Sequence, residues 1–211
     1  DVPVINALTD AYHPCQILAD FLTIVEHGKQ LEGLKLTYVG DGNNMANTYL
    51  EGGALCGMHV RIASPEGYEV DPEVFAQCQA AADKYGTGAT LELMRDPVAA
   101  VEGADVVLTD TWTSMGDEAE HDMRVAAFQG YQVNAELMAH AAEGALFMHC
   151  LPAHRGEEVT DEVMRAPYSV IYDEAGNRLH AQKAVMSLLM GVPAPAAALE
   201  AAEAVAGRWH A

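Results

Sequence analysis

Six short apolar runs, separated by stretches with helical periodicity, constrain the fold of this chain more than any other feature. The runs occupy residues 34–39, 58–63, 90–94, 104–109, 145–148 and 169–172. Helical patterns occupy residues 14–28, 44–56, a stretch starting at 71, and 179–190, with a further helical tail at 193–211. Strands that alternate with helices form βαβ units around a parallel sheet. The sequence therefore predicts a doubly wound, mostly parallel α/β fold, Rossmann-like, with helices on both faces, as one domain over residues 1–211 with residues 1–28 preceding the sheet.

The composition excludes several classes of protein. The 211-residue chain has 11 lysines and arginines against 31 aspartates and glutamates, a formal net charge of -20. Such an acidic surface repels phosphate backbones, so we expect no nucleic-acid partner. No run approaches the ~20 consecutive apolar residues of a transmembrane helix, so we expect no membrane span. Four scattered cysteines are too few for a disulfide framework, which predicts reduced thiols and a cytoplasmic protein.

Three of the apolar runs end in segments that carry chemically useful side chains. Residues 34–39 lead into Gly40-Asp41-Gly42-Asn43-Asn44, residues 104–109 into Asp110, and residues 145–148 into His149-Cys150-Leu151-Pro152. In parallel sheets, ligands bind just beyond the carboxyl ends of the strands. The sequence therefore predicts one pocket assembled from these three strand ends.

The glycine-containing segment at residues 40–44 only partly matches the dinucleotide fingerprint G-x-G-x-x-G. Met45 stands where the third glycine belongs, and Asp41 would face a pyrophosphate with the wrong charge. We therefore expect no nicotinamide cofactor. The two asparagines at a predicted helix start can offer amide groups to a polar ligand, although capping the helix needs only one of them.

His13 and Gln16 lie three residues apart at the start of the first predicted helix, so their side chains share a face. A helix N-terminus attracts anions, which makes the pair a candidate site for a phosphate or a polarised carbonyl; alternatively, His13 simply caps the helix. Arg178, which opens the last predicted helix before the tail, can reach an anion with its planar guanidinium. Its alternative role is a surface ion pair with Asp173 or Glu174.

Cys150 is the thiol best suited to chemistry, because His149, His154 and Arg155 lie close in sequence and positive charge favours a thiolate. Covalent attack and zinc binding by His149, Cys150 and His154 are both chemically possible. No local group supplies an oriented base, and the spacing matches no common zinc pattern, so we predict no metal site. The other three cysteines fall within predicted helices, where they fill the core.

Asp110 is a natural partner for an ammonium group, because it is a carboxylate placed at a strand end. The segment Ser114-Met115-Gly116 follows four residues later, in a long polar region over residues 111–131. A small hydroxyl, a flexible thioether and a glycine suit a loop that closes over a ligand. We expect this region to be a loop followed by a helical segment.

Taken together, these segments resemble the ornithine-binding half of the ornithine carbamoyltransferase family. The matching stretches are Leu8-Thr9-Asp10, His13-Pro14-Cys15-Gln16, Gly40-Asp41-Gly42-Asn43-Asn44, Asp110, Ser114-Met115-Gly116, His149-Cys150-Leu151-Pro152-Ala153-His154-Arg155-Gly156 and Asn177-Arg178-Leu179-His180. Their order and spacing hold over roughly residues 1–190. The serine-methionine-glycine loop and the histidine-cysteine-leucine-proline run favour ornithine over the aspartate-using relatives.

The resemblance implies a transferase of arginine metabolism that moves a carbamoyl group from carbamoyl phosphate to the side-chain amine of L-ornithine, giving L-citrulline and phosphate. It implies neither metal nor organic cofactor, and a homotrimer in the complete enzyme. The residues it assigns to carbamoyl phosphate are His13, Gln16, Cys150, Leu151 and Arg178, and those it assigns to ornithine are Asn44, Asp110, Ser114 and Met115. It assigns catalysis to Cys150, Asp110, Arg178 and His13.

The family's carbamoyl-phosphate domain carries a Ser-Thr-Arg-Thr loop, and this run occurs nowhere in the sequence. We therefore expect that domain to be absent and to be needed as a partner, so that residues 1–211 alone bind ornithine weakly and turn over negligibly. Two other hypotheses stay open. One is a carbamoyltransferase for another amine, such as putrescine or an acylated ornithine, and the other is a non-catalytic ornithine-binding module.

Overall fold

The centre of the protein is a five-stranded sheet in which every neighbouring pair of strands is parallel. The computed structural model describes residues 2–113 and 118–191. The strands are β1 (Lys35–Val39), β2 (His59–Ala63), β3 (Thr90–Met94), β4 (Val106–Thr109) and β5 (Leu146–His149). Their spatial order is β3-β2-β1-β4-β5. The predicted α/β fold with a doubly wound parallel sheet is confirmed.

Eight α-helices and one short 3-10 helix connect and cover the strands within the described residues. They are α1 (Pro14–Glu26), α2 (Asn44–Cys56), α3 (Pro72–Tyr85), α4 (Pro97–Val101), α5 (His121–Ala127), α6 (Ala135–Met138), α7 (Asp161–Met164) and α8 (Ile171–Leu189), with the 3-10 helix at Glu118–Glu120. Local chemistry explains several of their starts. Pro72 opens α3 where a missing N–H costs nothing, and the Asp71 side chain accepts a hydrogen bond from the backbone N–H of Glu73.

One predicted strand, at residues 169–172, is wrong. Ser169 makes only an isolated bridge to Phe147, and α8 already begins at Ile171 rather than at residue 179. Asp173 and Glu174 occupy the first turn of this helix, where the helix dipole favours acidic side chains. A short apolar run has no periodicity of its own, so it fits the first buried turn of a helix as well as a strand.

The sheet is buried on both faces, and its strands alternate between two apolar clusters. Leu108 and Met148 point into one cluster, with helices α1, α2 and α3, whereas Val107 and Phe147 point into the other, with α4, α6 and α7. Successive side chains of a strand face opposite sides, and a parallel sheet is covered on both. This explains why β4 and β5 are buried along their whole length, whereas β3, at one edge of the sheet, is only partly buried.

The strand order reverses between β1 and β4, so the chain leaves these two neighbouring strands in opposite directions. A crevice forms at such a switch point, beyond the carboxyl ends of the strands. The segment 40–44 follows β1, Asp110 follows β4, and Cys150 follows β5. The fold therefore brings together the three segments from which the sequence predicts a pocket.

Two sequence predictions fall partly or wholly outside the described residues. In the region 111–131 the predicted helical segment is present as α5, but Ser114 and Met115 belong to residues 114–117, which lie outside the described part. The predicted tail helix at 193–211 also lies outside it. None of the helices in the described ranges has the length and apolar character needed to cross a bilayer.

Candidate functional site

A cavity of about 480 Å³ opens over the carboxyl ends of β1, β4 and β5. Its walls come from residues that are far apart in sequence, which are Leu8, His13, Asn44, Met45, Asp110, Thr111, Thr113, His121, Cys150, Leu151, Pro152, His154 and Glu157. Five of the predicted site residues are in this set: His13, Asn44, Asp110, Cys150 and Leu151. The predicted common pocket is therefore present.

Asp110 lies at the centre of the hydrogen bonds in this cavity. Its Oδ1 accepts from the Cys150 thiol at 3.1 Å and from the backbone N–H of Thr111 at 2.7 Å. Its Oδ2 accepts from the Asn43 side-chain amide at 3.0 Å. These donors fix the orientation of the carboxylate while it still lines the cavity, so it can receive a ligand's ammonium group without moving.

Cys150 contributes a neutral thiol to the cavity. Burial raises the pKa of this thiol well above its usual range, and the neighbouring Asp110 carboxylate raises it further. Near neutral pH the sulfur therefore keeps its proton, which is the form that donates to Asp110. The geometry supports a role in orienting a ligand rather than in covalent attack.

The two asparagines at the start of α2 have different tasks. The Asn43 Oδ1 caps the helix by accepting from the backbone N–H groups of Met45 at 2.9 Å and Ala46 at 3.3 Å. The Asn44 amide donates to the carbonyl of Thr9 at 3.0 Å and lines the cavity. Sequence reasoning assigned only Asn44 to the site and missed that Asn43, which caps with its oxygen, still has its NH₂ group available for Asp110.

His13 occupies the N-cap position of α1, but its side chain does not cap the helix. The backbone N–H of His13 donates to the Thr48 hydroxyl at 2.8 Å, while its buried Nδ1 has no hydrogen-bond partner among the described residues. Burial lowers the pKa of this imidazole, and the positive charge of Arg178 lowers it further. His13 is thus a neutral imidazole at pH 7, with one nitrogen unoccupied beside a cation.

Gln16 and Arg178 lie beside the cavity and contact each other. The Gln16 Oε1 accepts from Arg178 Nη1 at 2.5 Å. The Gln16 Nε2 donates to Asp20 at 2.8 Å and to Glu174 at 3.2 Å. Arg178 is therefore held by Gln16 and not by the surface ion pair considered from the sequence. Its Nε is buried and has no hydrogen-bond partner in the described part of the chain.

His149 is structural, although the sequence placed it next to the reactive thiol. Its Nδ1 accepts from the backbone N–H of Leu151 at 2.9 Å, so in the neutral ring Nε2 carries the hydrogen and donates to Glu158 at 3.2 Å. Both side chains are fully buried. His149 is therefore committed to holding the turn that presents Cys150 and Leu151.

The zinc hypothesis built on His149, Cys150 and His154 finds no support in this geometry. Among the described residues, the first two group with Asp110, whereas His154 groups with Glu157 and Glu158. Both ring nitrogens of His149 are already engaged, and the thiol donates to Asp110. The three proposed ligands do not converge on one point.

Asp41, which argued against a dinucleotide site, has a structural partner in this fold. Its carboxylate accepts from Arg124 of α5 at 2.7 Å, and Arg124 also donates to the carbonyl of Trp112 at 3.2 Å. These contacts tie α5 to the segment after β1 and to the chain that follows Asp110. Arg124 carried no motif in the sequence, so no local signal could have indicated it.

Comparison with known proteins places this site in a family. The model of the aspartate/ornithine carbamoyltransferase Asp/Orn binding domain matches residues 32–189. The chain belongs to this family. The model of the carbamoyl-P binding domain of the same family matches residues 1–26.

Individual relatives agree with this assignment. The chain is 59% identical over 189 residues to an ornithine carbamoyltransferase of Symbiobacterium thermophilum, covering 90% of this chain and 60% of the relative. A crystal structure of ornithine carbamoyltransferase from Gloeobacter violaceus superposes with a TM-score of 0.82 at 53% identity, covering 89% of this chain and 62% of that one. The Pyrococcus furiosus enzyme gives a TM-score of 0.83 at 50% identity, with coverages of 89% and 59%. The chain therefore spans about three-fifths of the length of the relatives it matches.

The expectation that the carbamoyl-phosphate domain is absent is not borne out. Residues 1–26, which include the whole of α1, match the model of that domain. The inference from the missing Ser-Thr-Arg-Thr run failed because a single motif marks one loop of a domain and not its whole extent. In this structure α1 packs against α8, so a segment of the carbamoyl-P binding domain joins the helix that carries Arg178.

Proposed function

We propose that this chain is the ornithine-binding part of an ornithine carbamoyltransferase. In the proposed reaction the side-chain amine of L-ornithine attacks the carbonyl carbon of carbamoyl phosphate, and the products are L-citrulline and phosphate. The observation that carries this proposal is the Asp110 carboxylate, fixed by Asn43 and Cys150 on the floor of a cavity at the switch point of the sheet. The names of the relatives agree with the substrate pair.

Ornithine fits this cavity because it carries an ammonium group at each end of a short apolar chain. Asp110 can bind the α-ammonium, while Asn44 offers its amide to the amino-acid end. The attacking amine must be neutral, and a normal amine pKa of ~10.4 leaves little neutral form at pH 7. A close-fitting pocket beside the neutral Cys150 thiol selects the uncharged amine. Ser114 and Met115 remain predicted contacts of the same substrate.

The carbamoyl phosphate end is assigned to His13, Gln16, Leu151 and Arg178. Attack on the carbonyl builds negative charge on its oxygen, and the phosphate leaves as an anion when the carbon–oxygen bond breaks. The buried Nε of Arg178 and the unoccupied Nδ1 of His13 suit this substrate. Because both Gln16 amide hydrogens point to carboxyls, Gln16 offers its oxygen, which can accept from the carbamoyl NH₂ group. We propose no metal or organic cofactor.

Another amine is the main alternative substrate. Putrescine lacks the α-carboxylate of ornithine, and an acylated ornithine lacks the free α-ammonium that Asp110 is placed to bind. Aspartate, the substrate of the other branch of this family, would bring a second carboxylate against Asp110. The position of Asp110 therefore favours ornithine over acylated ornithine and aspartate, and the Asn44 amide, which can donate to an α-carboxylate, favours ornithine over putrescine.

The test is a product assay on the protein expressed from its complete gene, with carbamoyl phosphate and each of ornithine, putrescine, N-acetylornithine and aspartate. Citrulline should form with kcat/KM at least about 100-fold above that for any other amine, a preference of about 2.7 kcal/mol. A higher kcat/KM for another amine would transfer the proposal to that substrate. If ornithine bound but no product formed, the hypothesis of a non-catalytic ornithine-binding module would remain.

A cytoplasmic location and a homotrimeric complete enzyme are parts of the same proposal. The four free cysteines support the first, because they suit a reducing compartment. The resemblance to the family supports the second. Sedimentation of the protein from its complete gene tests the trimer directly.

A further inference from the structure

Two carboxyl groups lie buried next to each other behind the proposed carbamoyl phosphate site. Asp20 projects from α1 and Glu174 from α8, and both are 0% exposed. Gln16 Nε2 lies 2.8 Å from Asp20 Oδ1 and 3.2 Å from Glu174 Oε1, so these two carboxyl oxygens lie no more than about 6 Å apart. Two buried carboxyls this close to each other favour keeping one proton between them. Burial raises the pKa of both groups, to about 6 for Asp20, so the pair retains a proton under conditions where exposed carboxyls have lost theirs.

The other neighbours of the pair complete its hydrogen bonds. The Tyr49 hydroxyl donates to Asp20 Oδ2 at 2.7 Å, and the backbone N–H of His149 donates to Glu174 Oε2 at 2.9 Å. Gln16 Nε2 donates to both carboxyls, at 2.8 and 3.2 Å. The charged or titratable groups that face the pair are Tyr49 of α2, Cys150 after β5 and Arg178 of α8.

This arrangement determines which way the Gln16 amide points. With Nε2 held by two carboxyl oxygens, the Gln16 Oε1 faces Arg178 and accepts its guanidinium N–H. A flipped amide would place Nε2 against the guanidinium, donor against donor, and Oε1 against the carboxyl oxygens. The carboxyl pair and Arg178 therefore select the same orientation from opposite sides.

We propose that Asp20 and Glu174 are positioning residues that share one proton and fix Gln16 with its oxygen toward Arg178, in the arrangement that binds carbamoyl phosphate. This inference rests on the proposed function, because that function assigns Gln16 and Arg178 to this substrate. The shared proton is essential to the arrangement. A pair that loses it carries two negative charges, which repel each other and compete with the phosphate for Arg178.

The test uses Glu174→Gln and Asp20→Asn in the protein expressed from its complete gene, with Asp173→Asn as the matched control. Asp173 precedes Glu174 in α8, is exposed, and pairs at 3.0 Å with His27, which directly follows α1. Asp173→Asn therefore removes a carboxylate from the same helix, outside the site. Both oxygens of Glu174 accept, from Gln16 Nε2 and from the backbone N–H of His149, so an amide at position 174 leaves one of these donors without an acceptor. An amide at position 20 does the same to Gln16 Nε2 unless the Tyr49 hydroxyl turns to accept. We expect the KM for carbamoyl phosphate to rise roughly ten-fold or more, with the KM for ornithine within about two-fold. Asp173→Asn should change neither.

The pH profile separates positioning from a merely structural role. In the wild type, the KM for carbamoyl phosphate should rise as the pH increases above about 6, because the pair then loses its proton. In Glu174→Gln this rise should be absent, because the pair then has only one titrating carboxyl. A variant whose KM equals that of Asp173→Asn, or that keeps the wild-type pH profile, would overturn the proposal.

A measurement on the wild type covers the case in which the variants do not fold. Carbon-13 NMR of protein labelled at its carboxyl groups should show one carboxyl still protonated at pH 7. Two fully ionised carboxyls would refute the shared proton, whatever the kinetics. If the wild type neither forms citrulline nor binds carbamoyl phosphate, the proposed function fails by itself, and the NMR result still decides whether the pair shares a proton.

Discussion

At the scale of single residues, Asp110 shows how one side chain acquires its role from its neighbours. Its two oxygens accept from Cys150, Thr111 and Asn43, so its orientation is set before any ligand arrives. Asp105 sits at the opposite end of the same strand and accepts from the backbone N–H of Lys35 at 2.9 Å. Both aspartates flank β4, but Asp110 lines the cavity, whereas Asp105 accepts a hydrogen bond from the backbone of β1.

Replacing Asp110 with asparagine should remove the charge that binds the α-ammonium of ornithine. Because a hydrogen bond to a charged group contributes about 1.5–3 kcal/mol, we expect ornithine to bind roughly 10- to 150-fold more weakly. Titration calorimetry with ornithine measures this directly. Asp105→Asn is the matched control and should bind ornithine as the wild type does. Equal losses in both variants would show that the effect comes from β4 rather than from the site.

The residue scale also shows what a sequence can and cannot indicate. The positions of Asn44, Asp110 and Cys150 at one cavity were predicted, because each follows a strand at the same edge of the sheet, whereas His13 was assigned to the site through the family resemblance. Asp20 was not predicted. It lies within a helix without any motif, and its role appears only once Glu174, far along the chain, is packed against it.

At the scale of elements, the N-terminus of α2 joins helix capping to the binding site through Asn43. The residue caps the helix with its oxygen and holds Asp110 with its NH₂ group. Asp71 caps α3 in a similar way, but it is exposed and does not line the cavity. These two caps allow the structural and functional effects of a cap to be separated.

We expect Asn43→Ala and Asp71→Ala each to lower the free energy of unfolding by about 0.5–2 kcal/mol, the usual cost of losing a helix cap. Only Asn43→Ala should also weaken ornithine binding, since it frees the Asp110 carboxylate to rotate. Urea unfolding gives the first quantity and calorimetry the second. Unchanged ornithine affinity in Asn43→Ala would show that Asp110 is held well enough by its other two donors.

Two helical glycines provide a second test of how elements pack. A Cβ on Gly53 of α2 would lie 2.2 Å from Val60 Cγ2 of β2, whereas a Cβ on Gly176 of α8 would meet nothing within 4 Å. Gly53→Ala should therefore destabilise the protein by about 1–3 kcal/mol through overpacking. Gly176→Ala should stabilise it by about 0.5–1 kcal/mol, because alanine favours the helix. Thermal unfolding of both variants shows whether the signs are opposite.

The five strands and most of the longer helices could be predicted from the sequence, whereas the short helices α4, α6 and α7 were not predicted and one predicted strand was wrong. Periodicity and capping gave α2 its observed bounds at Asn44 and Cys56, and placed all five strands within two residues at either end. The run at 169–172 failed because four residues carry too little periodicity to distinguish a strand from the first turn of a buried helix. In the structure this run forms the start of α8, with Ile171 packed into the core.

At the scale of the whole molecule, the buried pair Asp20 and Glu174 makes the free energy of unfolding depend on pH. A carboxyl whose pKa is higher in the folded state than in the unfolded chain binds its proton more tightly when folded. Its contribution to stability is therefore greatest at low pH. The contribution is lost as the pH rises from the unfolded carboxyl pKa toward the raised folded pKa.

We expect the stability difference between the wild type and Glu174→Gln to fall as the pH rises above about 5, by up to about 1.4 kcal/mol per pH unit for one proton. The variant lacks the group that takes up this proton on folding, so its own stability lacks this dependence. Urea unfolding at several pH values measures both proteins. A difference that stays constant or grows with pH would show that Glu174 is ionised in the folded protein.

The sequence by itself determined the alternation of strands and helices, the edge of the sheet at which polar side chains gather, and the family. These properties are local, because they depend on periodicity, turn residues and motifs within a few positions of each other. The tertiary structure alone decided which buried polar groups pair, as with Gln16 and Glu174, which are 158 residues apart. The physical reason is that a buried polar group must find a partner wherever the fold leaves one, and that partner can lie anywhere along the chain.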